Sequence, residues 1–253
     1  MAGVKRRRGF CVDFVGKAVV EPSIGRRKLD ARNAVICYTS DFYRRLVKAF
    51  GAAKSKDAPM FDGAVSGKIV KGTALYQSSV GAPAAAMMLE EAIASGVRRI
   101  LMLGLAGSVS PSVRIGDMVV PTWGLREEGT SHHYFSASHR ARPSRQLTAR
   151  LERVIEADQF FEGGVWSIDS AFRETRAKVA RYAKMGVLAI DMETTALMCV
   201  AEYRDVEFAA LLVISDELFG KTWNPAFGSP KVNRAVDAAC ESAVRFFSTR
   251  RGA

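Results

Sequence analysis

The chain has 253 residues, 48% of them hydrophobic and 25% charged, with a formal net charge of +11. That is a globular composition with enough chain to bury a large core. No apolar run approaches the roughly 20 residues that cross a bilayer. The basic start MAGVKRRRGF is followed by no signal-like apolar segment, so a cytoplasmic protein is expected.

Cys11, Cys37, Cys199 and Cys240 are widely spaced with no CxxC pair, which argues against a zinc site or a disulfide framework. Cys37 and Cys199 read as small core residues. The excess of Lys and Arg is scattered, apart from Lys5-Arg6-Arg7-Arg8 and the Arg250-Arg251 tail, and carries no nucleic-acid module signature. A solvated surface accounts for it first, attraction of an anionic small molecule second.

Residues 1–30 read as an irregular basic segment. Ala34 to Tyr38 (AVICY) is a buried-strand run, and Thr39-Ser40-Asp41 supplies an N-cap for a helix marked by Phe42, Leu46, Val47 and Phe50. Lys68 to Val70 and Ala74 to Tyr76 read as a strand pair. Gly81-Ala82-Pro83 opens a helix from Ala84 to Ser95, which Gly96 closes. Arg99 to Leu105 is an uninterrupted apolar strand running into Ala106-Gly107-Ser108, and Met118 to Pro121 is the next strand. A polar loop, Arg126 to Tyr134, carries His132 and His133. Ser144 to Ala157 is helical in pattern, and Gly163-Gly164 reads as a break before a strand from Val165 to Ile168. Thr175 to Met185 is helical again. The strand from Phe208 to Ser215, a Gly-, Pro- and Trp-containing loop and a last helix with Val232, Ala235, Val236, Ala239 and Phe246 on its buried face complete the chain. Strands alternating with helices throughout predict one α/β domain, residues 1–253, with a mixed, mostly parallel central sheet flanked by helices.

Three strand ends carry ligand-type residues. GVLAIDMETTALMCVAEY, Gly186 to Tyr203, passes from a buried strand to a helix, with Asp191 and Glu193 at the junction. Strand-to-helix junctions are where α/β sheets hold ligands, and buried acids are costly unless something binds them. The same residues also read as a Thr-rich helix start with acids at the favourable end of the helix dipole. Leu103-Gly104-Leu105-Ala106-Gly107-Ser108 ends a second strand in glycines that permit close backbone approach, without Walker A or GxGxxG spacing. Val213-Ile214-Ser215-Asp216-Glu217 ends a third abruptly in acid.

The order GLAGSVSPSVRIGDMVVP, IDMETTALMCVAEY, LLVISDEL resembles the nucleoside phosphorylase family, which includes bacterial-type purine nucleoside phosphorylases, uridine phosphorylases and nucleosidases. Pro22-Ser23-Ile24 resembles its amino-terminal Pro-His-Ile, GKIVKGTALYQSSVGAP its strand pair ending in Gly-x-Pro, and REEGTSHHYF a uridine-phosphorylase loop in which His133 matches a histidine. The resemblance runs from about Pro22 to the last helix.

It implies cleavage of a nucleoside's N-glycosidic bond through an oxocarbenium-like sugar. Glu193 would accept the ribose 2′- and 3′-hydroxyls, Met192 would pack on the sugar, and Gly104, Ala106 and Gly107 would line the substrate. Ser215-Asp216 matches the purine enzymes' pair whose Asp protonates N7, and Phe172 matches an aromatic that packs on the base. The uracil-specific Gln-x-Arg insertion is absent, which favours a purine.

The phosphate site departs from the pattern. Met102 and Leu105 stand where the family carries Arg and Ser or Thr, Tyr43 stands for another Arg, and Ser23 for the Pro-His-Ile histidine. Arg44 and Lys56 are the candidate replacements, Lys56 matching an Arg that acts on a neighbouring subunit, and Arg44 reading equally as a solvated helix face. Three expectations follow. The first is purine nucleoside phosphorolysis with inorganic phosphate as co-substrate and no cofactor or metal. The second is hydrolysis by a nucleosidase, with Glu174 or Asp191 as base, or uridine phosphorolysis. The third is a non-catalytic nucleoside-binding homologue. The family's habit implies a homo-oligomer.

Overall fold

A computed structural model describes residues 18–22, 29–155 and 160–248. The basic run at residues 5–8, Cys11, Ser23 and the Arg250-Arg251 tail lie outside them. The strands are β1 (Asn33–Cys37), β2 (Ala64–Val70), β3 (Thr73–Ser78), β4 (Arg99–Ser108), β5 (Met118–Glu127), β6 (Phe160–Ile168), β7 (Val187–Asp191), β8 (Glu207–Glu217) and β9 (Asn224–Pro225). The helices are α1 (Ser40–Ala49), α2 (Ala82–Ala94), α3 (Arg145–Glu152), α4 (Arg176–Ala183), α5 (Thr194–Tyr203) and α6 (Pro230–Ser248).

Local chemistry accounts for the element ends. Thr39 Oγ1 accepts from the Phe42 amide at 3.2 Å and caps α1. Pro83 sits in the first turn of α2, where no backbone donor is needed. Gly81 precedes that helix at φ 108°, a backbone conformation that strains residues with a side chain. Lys71 and Gly72, both at positive φ, turn the β2–β3 hairpin.

The strands form one mixed sheet in the order β2-β3-β1-β4-β7-β6-β5-β8-β9, and β8 also pairs with β4. That extra pairing closes β4, β7, β6, β5 and β8 into a ring. Among the described residues five pairings are parallel (β1–β3, β1–β4, β4–β8, β5–β6, β6–β7) and four antiparallel. The mixed, mostly parallel sheet is as expected, and the closure is a feature the strand pattern does not announce. Besides the long parallel β4–β8 pairing, the ring depends on two short antiparallel contacts, β4 with β7 at Gly107↔Ile190 and Ser108↔Ala189, and β5 with β8 at Met118↔Val213 and Val119↔Leu212.

Apolar clusters fill both faces. One joins α2 and α5 to the sheet through Met88, Leu89, Leu197 and Val200. The other joins α1, α3 and α6 through Phe42, Leu46, Leu147, Leu151, Val236 and Phe246. A smaller cluster seats α4 on β6 and β7 around Trp166, Val179 and Tyr182. The residues expected on the buried face of the last helix are all buried, and Cys37, Cys199 and Cys240 are free and buried.

Two expectations change. Gly163 and Gly164 do not break the chain before β6 but lie inside it. A Cβ on Gly164 would sit 2.4 Å from the Trp123 ring, and one on Gly163 2.5 Å from Leu188, so these glycines admit neighbouring side chains. The segment from Arg126 is likewise not all loop. Strand β5 runs on to Glu127, and His132 and His133 fall in a single 3-10 turn, Thr130–His133.

Candidate active site

A cleft of about 660 Å³ opens where β1, β4, β7 and β8 end, walled by the segments that follow β6 and β8. The ring closure produces this convergence. At Gly107 the β4–β8 register shifts, and a Cβ there would lie 2.3 Å from Leu218 Cδ1, 3.0 Å from Asp216 Oδ2 and 3.1 Å from Ile190 Cγ2. Only a glycine lets β7, β4 and β8 meet this closely.

Strand β7 delivers two acids with different duties. Asp191 is saturated: its Oδ1 accepts from Ser167 Oγ at 2.5 Å, and its Oδ2 from the Thr194 amide at 3.0 Å and Thr194 Oγ1 at 2.5 Å. It ties the first turn of α5 to β6 and so fixes the backbone that carries Met192 and Glu193. With its oxygens committed it is unsuited to act as a base, contrary to one expectation.

Glu193 is buried at 5% exposure, and its Oε1 accepts from the Gly81 amide at 2.6 Å. Burial, and then the charge of Asp191, push its pKa up to about 8, so the carboxyl is mostly neutral near pH 7. Such a group can both donate to and accept from a pair of hydroxyls. Met192 lines the cleft beside it. Tyr38, at the end of β1, is also buried, and its hydroxyl has no partner among the described residues. Burial first, then Glu193 and Asp191, raise its pKa.

Strand β8 delivers Ser215 and Asp216 to the other side. Asp216 Oδ1 accepts from Ser215 Oγ at 2.8 Å and Oδ2 from Trp223 Nε1 at 2.8 Å. The short β9 pairs with the end of β8, Asp216↔Pro225, and holds the Trp223 loop over the carboxylate. Phe172 and Trp223 stand exposed at the mouth, with Phe227 6.2 Å from Trp223 between ring centroids. Phe172 is fully exposed and takes no part in the core. Glu174 lines the same wall, half-buried, and burial followed by the charge of Asp216 raises its pKa to about 7.

Met192, Glu193, Ser215, Asp216, Phe172, Ala106 and Gly107 are therefore brought to one cleft. Gly104 is not. It lies mid-strand, where its Cβ position faces Leu212 at 3.1 Å and Met102 at 3.3 Å. Arg44 is not there either: its side chain is 76% exposed on α1 and bonds Asp41 at 3.0 Å. Lys56 is exposed in the segment before β2, where its carbonyl accepts from Ile69, and it too lies away from the cleft. His132 and His133 do not line it. Glu217 is committed to Arg114 at 2.7 Å and to the Ile115 amide at 3.2 Å.

Among the described lining residues the basic ones are Arg176 and Lys221, which belong to the Glu174 and Trp223 segments. Sequence reasoning passed over Trp223, Phe227 and Tyr38. The Trp in a Gly- and Pro-rich loop was the one visible sign, since an aromatic with no apolar neighbours has no core to join. No group of three His, Cys, Asp or Glu among the described residues could hold a metal, and none of their helices is long and apolar enough to cross a membrane.

Known proteins share this architecture. Among curated proteins, guanosine phosphorylase of Halorubrum lacusprofundi is 26% identical over 173 residues, 68% of this chain and 72% of that protein. A DeoD-type purine nucleoside phosphorylase of Bacillus cereus is 24% identical over 201 residues, 73% of this chain and 80% of that one. Among solved structures, uridine phosphorylase of Vibrio fischeri superposes with a TM-score of 0.71 at 22% identity, covering 88% of this chain and 91% of that one. AMP nucleosidase of Bacteroides thetaiotaomicron gives 0.68 at 18%, covering 87% and 90%. The family model described as the phosphorylase superfamily matches residues 32–248, and with the glycine-ended strand and the two acid-ended strands meeting at one cleft, the chain belongs to that superfamily.

Proposed function

We propose that this protein cleaves the N-glycosidic bond of a purine nucleoside by phosphorolysis, releasing free base and ribose 1-phosphate. The observation that carries the reading is the pair of buried acids, Glu193 and Asp216, presented to one cleft from the ends of β7 and β8 on either side of β4. Glu193 takes the ribose 2′- and 3′-hydroxyls, Met192 the sugar face, and the Asp216 wall the base, with Phe172 and Trp223 as its aromatic sides. As the C1′–N9 bond breaks, its electron pair enters the purine, and a phosphate oxygen bonds C1′. Interactions that strengthen as charge develops on sugar and base are the ones that accelerate the step.

Phosphate is the co-substrate in this reading, the setting is cytoplasmic, and the active species is a homo-oligomer in which the exposed Lys56 reaches a neighbour's cleft. A second reading, hydrolysis, is favoured by one observation. The described residues at the Tyr38 and Glu193 end of the cleft include no Lys or Arg, and a dianion without a guanidinium is held with poorer geometry.

Incubation with adenosine, inosine, guanosine and uridine, with and without phosphate, tests both. Purine release that requires phosphate supports phosphorolysis, and phosphate-independent release supports hydrolysis. Release from uridine alone, or from none of the four, sinks the purine reading.

A further inference from the structure

Asn33 Oδ1, Tyr38 Oη, Ser95 Oγ and Thr148 Oγ1 are buried without a hydrogen-bond partner among the described residues, and of these residues Tyr38 is the one that lines the cleft. It follows β1 and is 9% exposed. A buried donor left unpaired is costly, and native structures keep few of them. Beside a ligand cleft such a donor marks where a ligand atom completes the pairing.

The strand register brings Tyr38 to the Glu193 end of that cleft. Tyr38 shares a face with Ile36 of β1, and Ile36 pairs with Met102 of β4. All three belong to one apolar cluster. Met102 Sδ in turn accepts from Thr194 Oγ1 at 3.4 Å, and Thr194 is the residue after Glu193. Glu193 Oε1 is held by the Gly81 amide at 2.6 Å, while no hydrogen bond joins the carboxyl to the Tyr38 hydroxyl. Burial, and then the charges of Glu193 and Asp191, raise the pKa of Tyr38, so the phenol stays protonated and can donate.

A phenol and a carboxyl at one end of a cleft, not bonded to each other, suit a ligand group that accepts from the first and donates to the second. A sugar hydroxyl does both at once, whereas a phosphate dianion only accepts. The described lining residues at this end also include no Lys or Arg to balance a dianion. Building on the proposed nucleoside cleavage, we infer that Tyr38 determines the sugar class: its hydroxyl donates to a ribose hydroxyl that Glu193 also holds. The cleft thereby selects ribonucleosides over nucleosides that lack this hydroxyl. A site that pairs its buried polar groups with a substrate hydroxyl rejects the analogue without one, because those groups are then left unpaired. Tyr38 transfers no proton; it positions the sugar.

The test measures kcat/KM on inosine, 2′-deoxyinosine and 3′-deoxyinosine for the wild type and for Tyr38→Phe, which removes only the hydroxyl. An analogue that is not turned over is read through its inhibition constant against inosine. The variant should lose about tenfold on inosine, the scale of one hydrogen bond. On the deoxy analogue that lacks the partner hydroxyl the change should stay below about twofold, because that bond is already absent there. The melting temperature of the variant without substrate should be no lower than that of the wild type, since Phe leaves no buried donor unpaired. Equal losses on all three substrates, no loss on inosine, or a lower melting temperature overturn the assignment of Tyr38. Failure of the wild type to cleave inosine overturns instead the purine reading beneath it, and uridine with its two deoxy analogues then puts Tyr38 to the same test.

Discussion

Replacing Glu193 with Gln tests the central electrostatic statement about the cleft. In the unfolded chain this carboxyl has an ordinary pKa of 4.5, and in the folded protein one of about 8, raised by burial and then by Asp191. A carboxyl whose folded pKa is raised favours folding at low pH and loses that contribution as pH climbs from the unfolded value to the folded one. The span is about 3.5 units, and at about 1.36 kcal/mol per unit it corresponds to roughly 5 kcal/mol at high pH. At 5% exposure Glu193 is little screened by solvent.

Near pH 6 about 2 kcal/mol of that cost is already present, and about 3 kcal/mol more accrues by about pH 9. Gln keeps the shape and can still accept from the Gly81 amide, but it does not ionise. The melting temperature of Glu193→Gln should therefore pull ahead of the wild type between those pH values. The gap should widen by about 6–12 °C at about 2–4 °C per kcal/mol for a chain of this size. Thermal unfolding of both proteins without substrate, in steps of pH, measures it. A gap that stays constant means the carboxyl is already ionised in the folded empty cleft, and the burial argument fails. The same variant should lose nucleoside cleavage at every pH if Glu193 holds the ribose.

Other perturbations probe the supports of the site. Trp223→Phe keeps the aromatic wall but removes the 2.8 Å bond to Asp216; kcat on purine nucleosides should fall about tenfold, the scale of one hydrogen bond, with little change in melting temperature. Gly107→Ala forces a methyl to within 2.3 Å of Leu218 and 3.0 Å of Asp216. Overpacking of that kind costs about 1–3 kcal/mol, and steady-state kinetics should show a larger loss than the melting curve does. Asp191→Asn must turn an NH2 toward Ser167 or Thr194, at about 1–3 kcal/mol for a buried donor left unpaired. With the Asp191 charge gone, the Glu193 pKa should move down, so the pH-dependent part of the unfolding curve should shrink; an unchanged pH dependence would show that Asp191 does not act on Glu193.

Periodicity and end signals made most elements legible, since a helix cap such as Thr39 or a buried face such as Val232, Ala235, Val236 and Ala239 is written in neighbouring residues. The end of the cleft proposed to hold the ribose was legible for the same reason: Met192 and Glu193 sit at one strand-to-helix junction, within a single local pattern. What local pattern cannot hold is pairing between distant strands. The closure of β4 on β8 and β7, the use of Gly163 and Gly164 as packing gaps inside β6, and the displacement of Gly104 to mid-strand all depend on which side chains arrive from elsewhere.

The division of labour among the acids has the same origin. By sequence Asp191, Glu193, Asp216 and Glu217 are equivalent acids at strand ends. Asp191 became a strut because Ser167 and Thr194 meet it, and Glu217 an ion-pair partner because Arg114 does. Trp223 came to Asp216 only because β9 folds back on β8, and Glu174 has its pKa raised to about 7 first by burial and then by the charge of Asp216, 42 positions away in the chain. Sequence by itself determined which residues could ionise and which strands would end in them. Tertiary structure decided which of those carboxyls stay charged, because burial and neighbouring donors are properties of the folded surroundings.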